Sequence, residues 1–234
     1  MSTPSTARRL TLEAVVIIAS ILAAFAIDAW WEGRQEDRRQ GALLRAIASD
    51  VQGMRDEGVR VRASWLRALD ATEKVLAAGG TRLTSADAPR VDSLLRDLVL
   101  TPTFDAPTGA LDALLRSDLG EVQSSTIVQS TTRLRAHLAN LEREQQYLDG
   151  VAIEAWRHVG NLGIDLPSLG LSWSTGRPNP VERKLSRGWG EIGDPTLRAS
   201  VYLEWIYLTN CLGILDSIES ELGALETELV TRLD

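Results

Sequence analysis

Three stretches of this sequence repeat apolar or small residues at alternating steps of three and four, and that spacing constrains the fold more than any other feature. The first runs Leu44, Ile47, Val51, Met54, Gly58, Val61, Trp65, Ala68, Thr72, Val75. The second runs Ile127, Thr131, Leu134, Leu138, Leu141, Gln145, Leu148, Ala152, Ala155, Val159, and the third Val201, Trp205, Leu208, Leu212, Leu215, Ile218, Leu222, Leu225, Leu229. A 3-4 alternation keeps one stripe of an α-helix facing a partner helix, so each stretch reads as a long packed helix. In the third, a step of three replaces a four between Leu215 and Ile218, which implies a local overwinding. Extended past the seam ends, each stretch reads as a helix of about 36 to 38 residues, or roughly 55 Å, and matched lengths suit helices packed side by side. The expected fold is all-α: an elongated bundle of three long helices over residues 32–234.

Between the first two helices the spacing predicts an inserted short helical hairpin at about 81–120. Gly79 and Gly80 stop the first long helix. One short helix follows Ser85 as N-cap, with Val91, Leu94, Leu95 and Leu98 on one face; the other follows Thr108, with Leu111, Leu114 and Leu115. "TPTFDAP" separates them, because Pro102 and Pro107 interrupt helix. Residues 161–195, "NLGIDLPSLGLSWSTGRPNPVERKLSRGWGEIGDP", form the only long irregular segment. If the second long helix runs back toward the amino-terminal end, this loop lies close to it. Trp173 and Trp189 then have two readings: caps on the end of the core, or contacts to a membrane or a protein partner.

The amino-terminal stretch, "LTLEAVVIIASILAAFAIDAWWEGRQEDRR", raises a different question. Ala14 to Ile27 carries no charge, but fourteen residues cover only about 21 Å, short of a hydrocarbon core of roughly 30 Å. Extended from Leu10 to Trp31 the run reaches about 33 Å, with Glu13 and Asp28 near its ends, where carboxylates reach headgroup water. Trp30 and Trp31 then fall at the membrane interface, where an indole buries its ring and keeps its N–H wet. The expected division is a tail at 1–9, a transmembrane helix at 10–31 and the helical domain beyond.

Two alternatives stand beside the retained anchor. Arg8 and Arg9 precede an apolar run ending in Ala24-Phe25-Ala26, the pattern of a cleaved signal peptide, although Glu13 interrupts the transition. Apolar runs this short also occur as buried helices of soluble proteins. Orientation is argued both ways. Arg34, Arg38, Arg39 and Arg45 outnumber Arg8 and Arg9, which by the positive-inside rule puts the domain in the cytoplasm. The basic tail, apolar run and A-x-A order instead matches exported and signal-anchored bacterial proteins. We prefer that second reading, a bacterial inner-membrane protein with a periplasmic carboxy-terminal domain.

Composition excludes several partners. The formal charge of -7 over 234 residues disfavours nucleic acid and anionic lipid as ligands of the bulk of the chain. Only Lys74 and Lys184 among the 25 basic residues are lysines, which reflects codon usage in a GC-rich genome rather than chemistry. The lone Cys211 falls on the third helix, where a thiol behaves as a small hydrophobe. His137 and His158 lie too far apart, with no Cys or second His at ligand spacing, to draw a zinc site. Glu154 and His158 read as a solvated i,i+4 pair, and Glu142, Glu144, Asp149 and Glu154 as the wet face of the second helix. No nucleophile motif, phosphate-binding loop or dinucleotide fingerprint is present in the sequence. No catalytic, cofactor-binding or metal-binding residue is therefore assigned, and no cofactor is expected.

The amino-terminal stretch, taken with "TFDAPTGALDALLRSDLGEVQSSTIVQSTTRLRAHLANLE" about 75 residues later, resembles a group of uncharacterised bacterial proteins with one amino-terminal transmembrane helix and a helical domain. In that group the middle segment ends in a Ser-Gly-x-Leu turn. Here Ser117, Asp118, Leu119, Gly120 stand in its place, with the glycine displaced. The resemblance implies the architecture and brings no activity with it. The expected function is a membrane-anchored interaction or scaffolding module without catalysis, its contacts being the bilayer and an unidentified protein. The alternative is an extracytoplasmic ligand-sensing bundle lacking its own output domain. Nothing in the sequence fixes an oligomeric state.

Overall fold

The structure, a computed structural model, describes residues 4–78, 94, 97–98, 101–116, 126–161 and 194–233. The described residues include the helices α1 (Pro4–Ala77), α2 (Gly109–Arg116), α3 (Thr126–Asn161) and α4 (Pro195–Leu233). Among the described residues there is no strand, so the fold is all-α as the spacing predicts. The transmembrane candidate and the first seam belong to one uninterrupted helix of 74 residues, about 110 Å long. Residue 32 marks no break in the backbone; what changes along α1 is what surrounds it. From Val16 to Trp31 the side chains are exposed, and from Leu44 onward one stripe is buried.

All ten positions of the first seam are buried. In the second, only Leu138 is half-buried, and it packs against the core. The third seam needs correction. α4 buries the series Leu197, Val201, Glu204, Leu208, Cys211, Leu215, Ile218, Leu222, Leu225 and Leu229, with Ser200 and Leu212 buried beside it, whereas Trp205 is only half-buried. With Glu204 and Cys211 in the series the steps alternate four and three without interruption. In that series the step of three between Leu215 and Ile218 is part of the regular alternation and needs no overwinding; the seam as predicted differs from the buried set at Trp205, while Leu212 is buried as expected.

α4 packs along both α3 and α1, most extensively against α3. Cross-helix pairs fix direction. Arg55 meets Glu226, Arg62 meets Asp216 and Glu219, and Trp205 Nε1 donates to Glu73, so α4 runs antiparallel to α1. Arg133 meets Glu221, Asn210 donates to Glu144, and Tyr147 stacks on Tyr207, so α4 also runs antiparallel to α3. It follows that α1 and α3 run the same way. The expectation that the second long helix returns toward the apolar end is therefore overturned. Asn161 and Asp194, the described ends flanking the irregular segment, lie at the end of the bundle farthest from Trp31, where His158 adds its charge to the environment of Asp194. The physical reason is that the chain from 101 to 116 makes one packed return pass along α1 rather than a closed hairpin.

That return pass is held from both sides by polar groups of the two seams. The indole N–H of the buried Trp65 donates to the carbonyl of Pro102 at 2.9 Å, and the buried Gln145 accepts from the Phe104 N–H through Oε1 at 2.7 Å. Asp50 accepts the Ala110 N–H at 2.8 Å, and Asp112 pairs with Arg135 of α3 at 3.0 Å. Gly53 lets Pro107 approach so closely that an added Cβ would stand 2.9 Å from its Cγ. α2 begins after Thr108 as predicted and buries Leu111 and Leu114, while Leu115 is exposed. Of the other short helix, Leu94, Asp97 and Leu98 are helical and Leu98 is buried. Ser85, Val91 and Leu95 lie outside the described residues.

α4 starts on a cap that the spacing did not reveal. Asp194 Oδ1 accepts the N–H groups of Thr196 and Leu197 at 2.9 and 3.0 Å, with Pro195 in the first helical position, where its missing N–H costs nothing. Those two donors hold the Asp194 carboxyl below its ordinary range, Leu197 contributing most.

Candidate functional site

Among the described residues one helix is long and apolar enough to cross a membrane, and none of its apolar stretch is covered by the other described residues. Val16, Ile17, Ile18, Ile21, Leu22, Phe25 and Ile27 point in all directions around α1 and are all exposed. At its end Trp30 and Trp31 lie with ring centroids 6.4 Å apart and planes tilted by 52°. The Arg34 guanidinium sits 5.2 Å above the Trp30 ring, within cation–π range. Twelve residues lie between Trp31 and Leu44, the first buried seam residue, which makes a stalk with a rise of about 20 Å.

A groove lies between the return pass at Thr103–Thr108 and the side of α3 from Arg135 to Asp149, with a volume of about 430 Å³. Its walls are mixed. Phe104, Leu138 and Leu141 supply apolar surface, and Glu142, Gln145, Gln146 and Asp149 supply polar groups. Two of its polar side chains are already engaged, Arg135 with Asp112 and Gln145 with the Phe104 N–H. Partial desolvation holds the Asp149 carboxyl above its ordinary value. Glu142 and Asp149 stand two turns apart on one helix, about 10 Å in rise, too far to share a proton or an ion. The groove has room for a small polar molecule, and Asp105 also lines it.

The least expected residue is Glu204. Its side chain is fully buried, and among the described residues neither carboxylate oxygen has a hydrogen-bond partner. Burial pushes its pKa well above the ordinary carboxylate value, so it is protonated over a wider range than a surface glutamate. The register set by Tyr147–Tyr207 and Trp205–Glu73 puts it level with the stretches of α3 near Ala152 and of α1 near Thr72 and Val75, where most buried side chains are small. Cys211, two turns along, is also fully buried. Its thiol is pushed up to about 12, first by burial and then by the charges of Glu144 and Asp149, which leaves it inert as a nucleophile.

Among the described residues no three His, Cys, Asp or Glu side chains converge on a common point. Glu154 pairs with Arg157 rather than with His158, and so departs from the expected i,i+4 pair. Trp173 and Trp189, the two tryptophans singled out for partner or membrane contact, lie outside the described residues. Glu204 was legible in principle: the regular series Leu197, Val201, Leu208, Leu215 asks for a buried residue at 204 whatever its polarity. The Asp194-Pro195 pair was equally visible as a helix start. No family model, no curated protein and no solved structure matches the chain.

Proposed function

We propose that this protein is a single-pass, membrane-anchored interaction module that holds a helical bundle at a set height above a bilayer and performs no chemistry of its own. The observation that carries this reading is the continuity of α1. The same helix presents an uncovered apolar stretch ending in Trp30 and Trp31 and, one stalk length later, contributes all ten of its seam positions to the bundle core. An apolar helix with no protein around it asks for lipid, and an uninterrupted helix transmits its orientation to the bundle more stiffly than a loop would. The layout agrees with the one that the family resemblance implies.

Floating the full chain on vesicles after carbonate washing tests the anchor. Retention with the lipid is expected, and release, or a mature amino terminus at Ile27, would overturn it. Cross-linking in membranes followed by recovery of a stoichiometric protein tests the interaction role, which fails if the bundle is recovered alone under every condition. On the order of the amino-terminal basic tail, apolar run and A-x-A, we place the bundle on the periplasmic side of a bacterial inner membrane. A carboxy-terminal reporter active only outside the cytoplasm should be active, and a silent one would reverse the orientation. The groove of about 430 Å³ favours a second reading, ligand sensing. A small polar molecule that raises the melting temperature, with the rise abolished by Gln146→Ala, would move the assignment to it.

A further inference from the structure

The helix just beyond the tryptophans is not uniformly mixed in charge. Trp31, Arg34, Gln35 and Arg38 follow the i, i+3, i+4, i+7 pattern of a single helical face and together line a shallow pocket of about 180 Å³. Glu32, Glu36 and Asp37 project from other sides of the helix. Arg39 pairs with Glu36, but neither Arg34 nor Arg38 forms an ion pair among the described residues. Arg38 has no acidic residue three or four positions away in either direction, and Arg34 has only Asp37, which it does not engage. Two unpaired arginines at i and i+4 repel each other along the helix, a cost that an anion between them would relieve.

Their height above the tryptophans matters. Arg34 and Arg38 rise about 4 and 10 Å beyond Trp31, while the headgroup layer extends about 5 to 8 Å beyond the hydrocarbon edge. Long arginine side chains reach back across that difference. We propose that the face made by Trp31, Arg34, Gln35 and Arg38 is a binding site for the phosphodiester of an anionic phospholipid, with the two guanidinium groups on the phosphate and the indole against the glycerol and upper acyl chains. Guanidinium matches phosphate oxygens in a fork geometry that an ammonium cannot reproduce. An anionic headgroup is favoured over a zwitterionic one because it brings no cation of its own to oppose Arg34 and Arg38. The acidic bundle begins a stalk length away and leaves this face as a local cationic patch on a chain of net charge -7. The proposal rests on the membrane-anchor reading.

The test is to reconstitute the full chain in vesicles of mixed phosphatidylcholine and phosphatidylglycerol, extract it in mild detergent, and measure the co-purifying lipid by class. Wild type and Arg39→Gln should retain phosphatidylglycerol enriched over the bulk mixture, and the double variant R34Q/R38Q should lose that enrichment about 10- to 30-fold. R34K/R38K should recover part of it. Inorganic phosphate added during extraction should not displace the lipid. Equal enrichment in wild type and R34Q/R38Q, no enrichment in wild type, or displacement by inorganic phosphate overturns the site while leaving the anchor intact. Failure of wild type to float with the vesicles overturns the anchor, and the site with it.

Discussion

The half of the bundle next to the stalk and the half farthest from it follow the same 3-4 spacing but bury different side chains. Near the stalk the core is filled by Ile47, Met54, Ile127, Leu134, Ile218, Leu222 and Leu225, with Trp65 beyond them, and it forms one contiguous apolar cluster. Among the described residues that cluster reaches as far as Ala68, Leu148 and Leu208. Beyond it the buried positions are Ala71, Thr72, Ala152, Ala155, Ser200 and the unpartnered Glu204, together with a few larger side chains such as Val75, Val159 and Leu197. Spacing decides that a helix packs, whereas side-chain volume and polarity decide how firmly. The near half holds the bundle together, and the far half is where local opening costs least.

The sharpest way to break the comparison is to hollow out the near half. Trp65→Ala should cost about 3 to 5 kcal/mol, since the side chain is fully buried and its N–H ties the return pass to α1. Leu134→Ala should cost about 2 to 5 kcal/mol by cavity formation alone. Chemical denaturation of the bundle measures both. Ala155→Gly in the far half removes far less volume and should cost about 1 kcal/mol, most of it helix propensity. Equal losses at Leu134 and Ala155 would mean that the two halves are equally firm.

Glu204 sharpens the comparison from the other side. A buried carboxyl without partners lowers stability, so Glu204→Leu should raise it by about 1 to 3 kcal/mol at neutral pH. The pH dependence has a definite sign. Because the folded-state pKa of Glu204 is raised, its contribution to stability is fully present below the unfolded value of about 4.5 and is lost as pH rises through the folded value. Asp149 acts in the same direction, and Asp194, whose pKa is lowered, acts in the opposite one at lower pH. The wild-type profile is therefore a mixture, and the difference between wild type and Glu204→Gln isolates the buried group. An unchanged slope in Glu204→Gln would show that Glu204 reaches water.

What could be read from the sequence follows the same division. The all-α class, the ten positions of the first seam and the helix after Thr108 were legible because apolar periodicity reports burial directly. The third seam was misread at Glu204 and Trp205 because polarity was weighed above spacing, and in the far half spacing was the better guide. The parallel run of α1 and α3 was not legible. It depends on how many packed passes lie between Ala77 and Thr126, and a short helix leaves the same local signal whether it folds back or continues. The site was the least legible part. The groove is built by Phe104 and Asp105 crossing α3, a contact between segments about forty residues apart that no local pattern records.

A smaller effect separates two glycines of α1, Gly58 on the first seam and Gly53 off it. Gly53 faces Pro107 with an added Cβ only 2.9 Å from its ring, and a proline in a packed turn cannot swing away as a flexible side chain would. Gly53→Ala should therefore cost about 1 kcal/mol or more despite the gain in helix propensity. At Gly58 the nearest atoms, on Glu219, Leu215 and Phe104, lie 3.8 Å from an added Cβ, which is ordinary contact. Gly58→Ala should gain about 0.5 to 1 kcal/mol. Opposite signs in thermal melts are the expected result, and a loss at both would mean that the return pass lies closer to α1 along its whole length.

The smallest effect checks the helical phase on which every comparison above depends. Leu141 and Glu142 are neighbours on α3, the first fully buried and the second exposed on the groove wall. Glu142→Ala removes no packed volume and breaks no hydrogen bond among the described residues, so it should change stability by under about 0.5 kcal/mol. Glu144→Ala loses only an exposed hydrogen bond from Asn210 at 3.3 Å, and should fall in the same range. Leu141→Ala, one residue from Glu142, should cost about 2 to 5 kcal/mol. Comparable shifts at 141 and 142 would rotate α3 about its axis, take Gln145 away from the Phe104 N–H, and remove the groove together with the sensing role that rests on it.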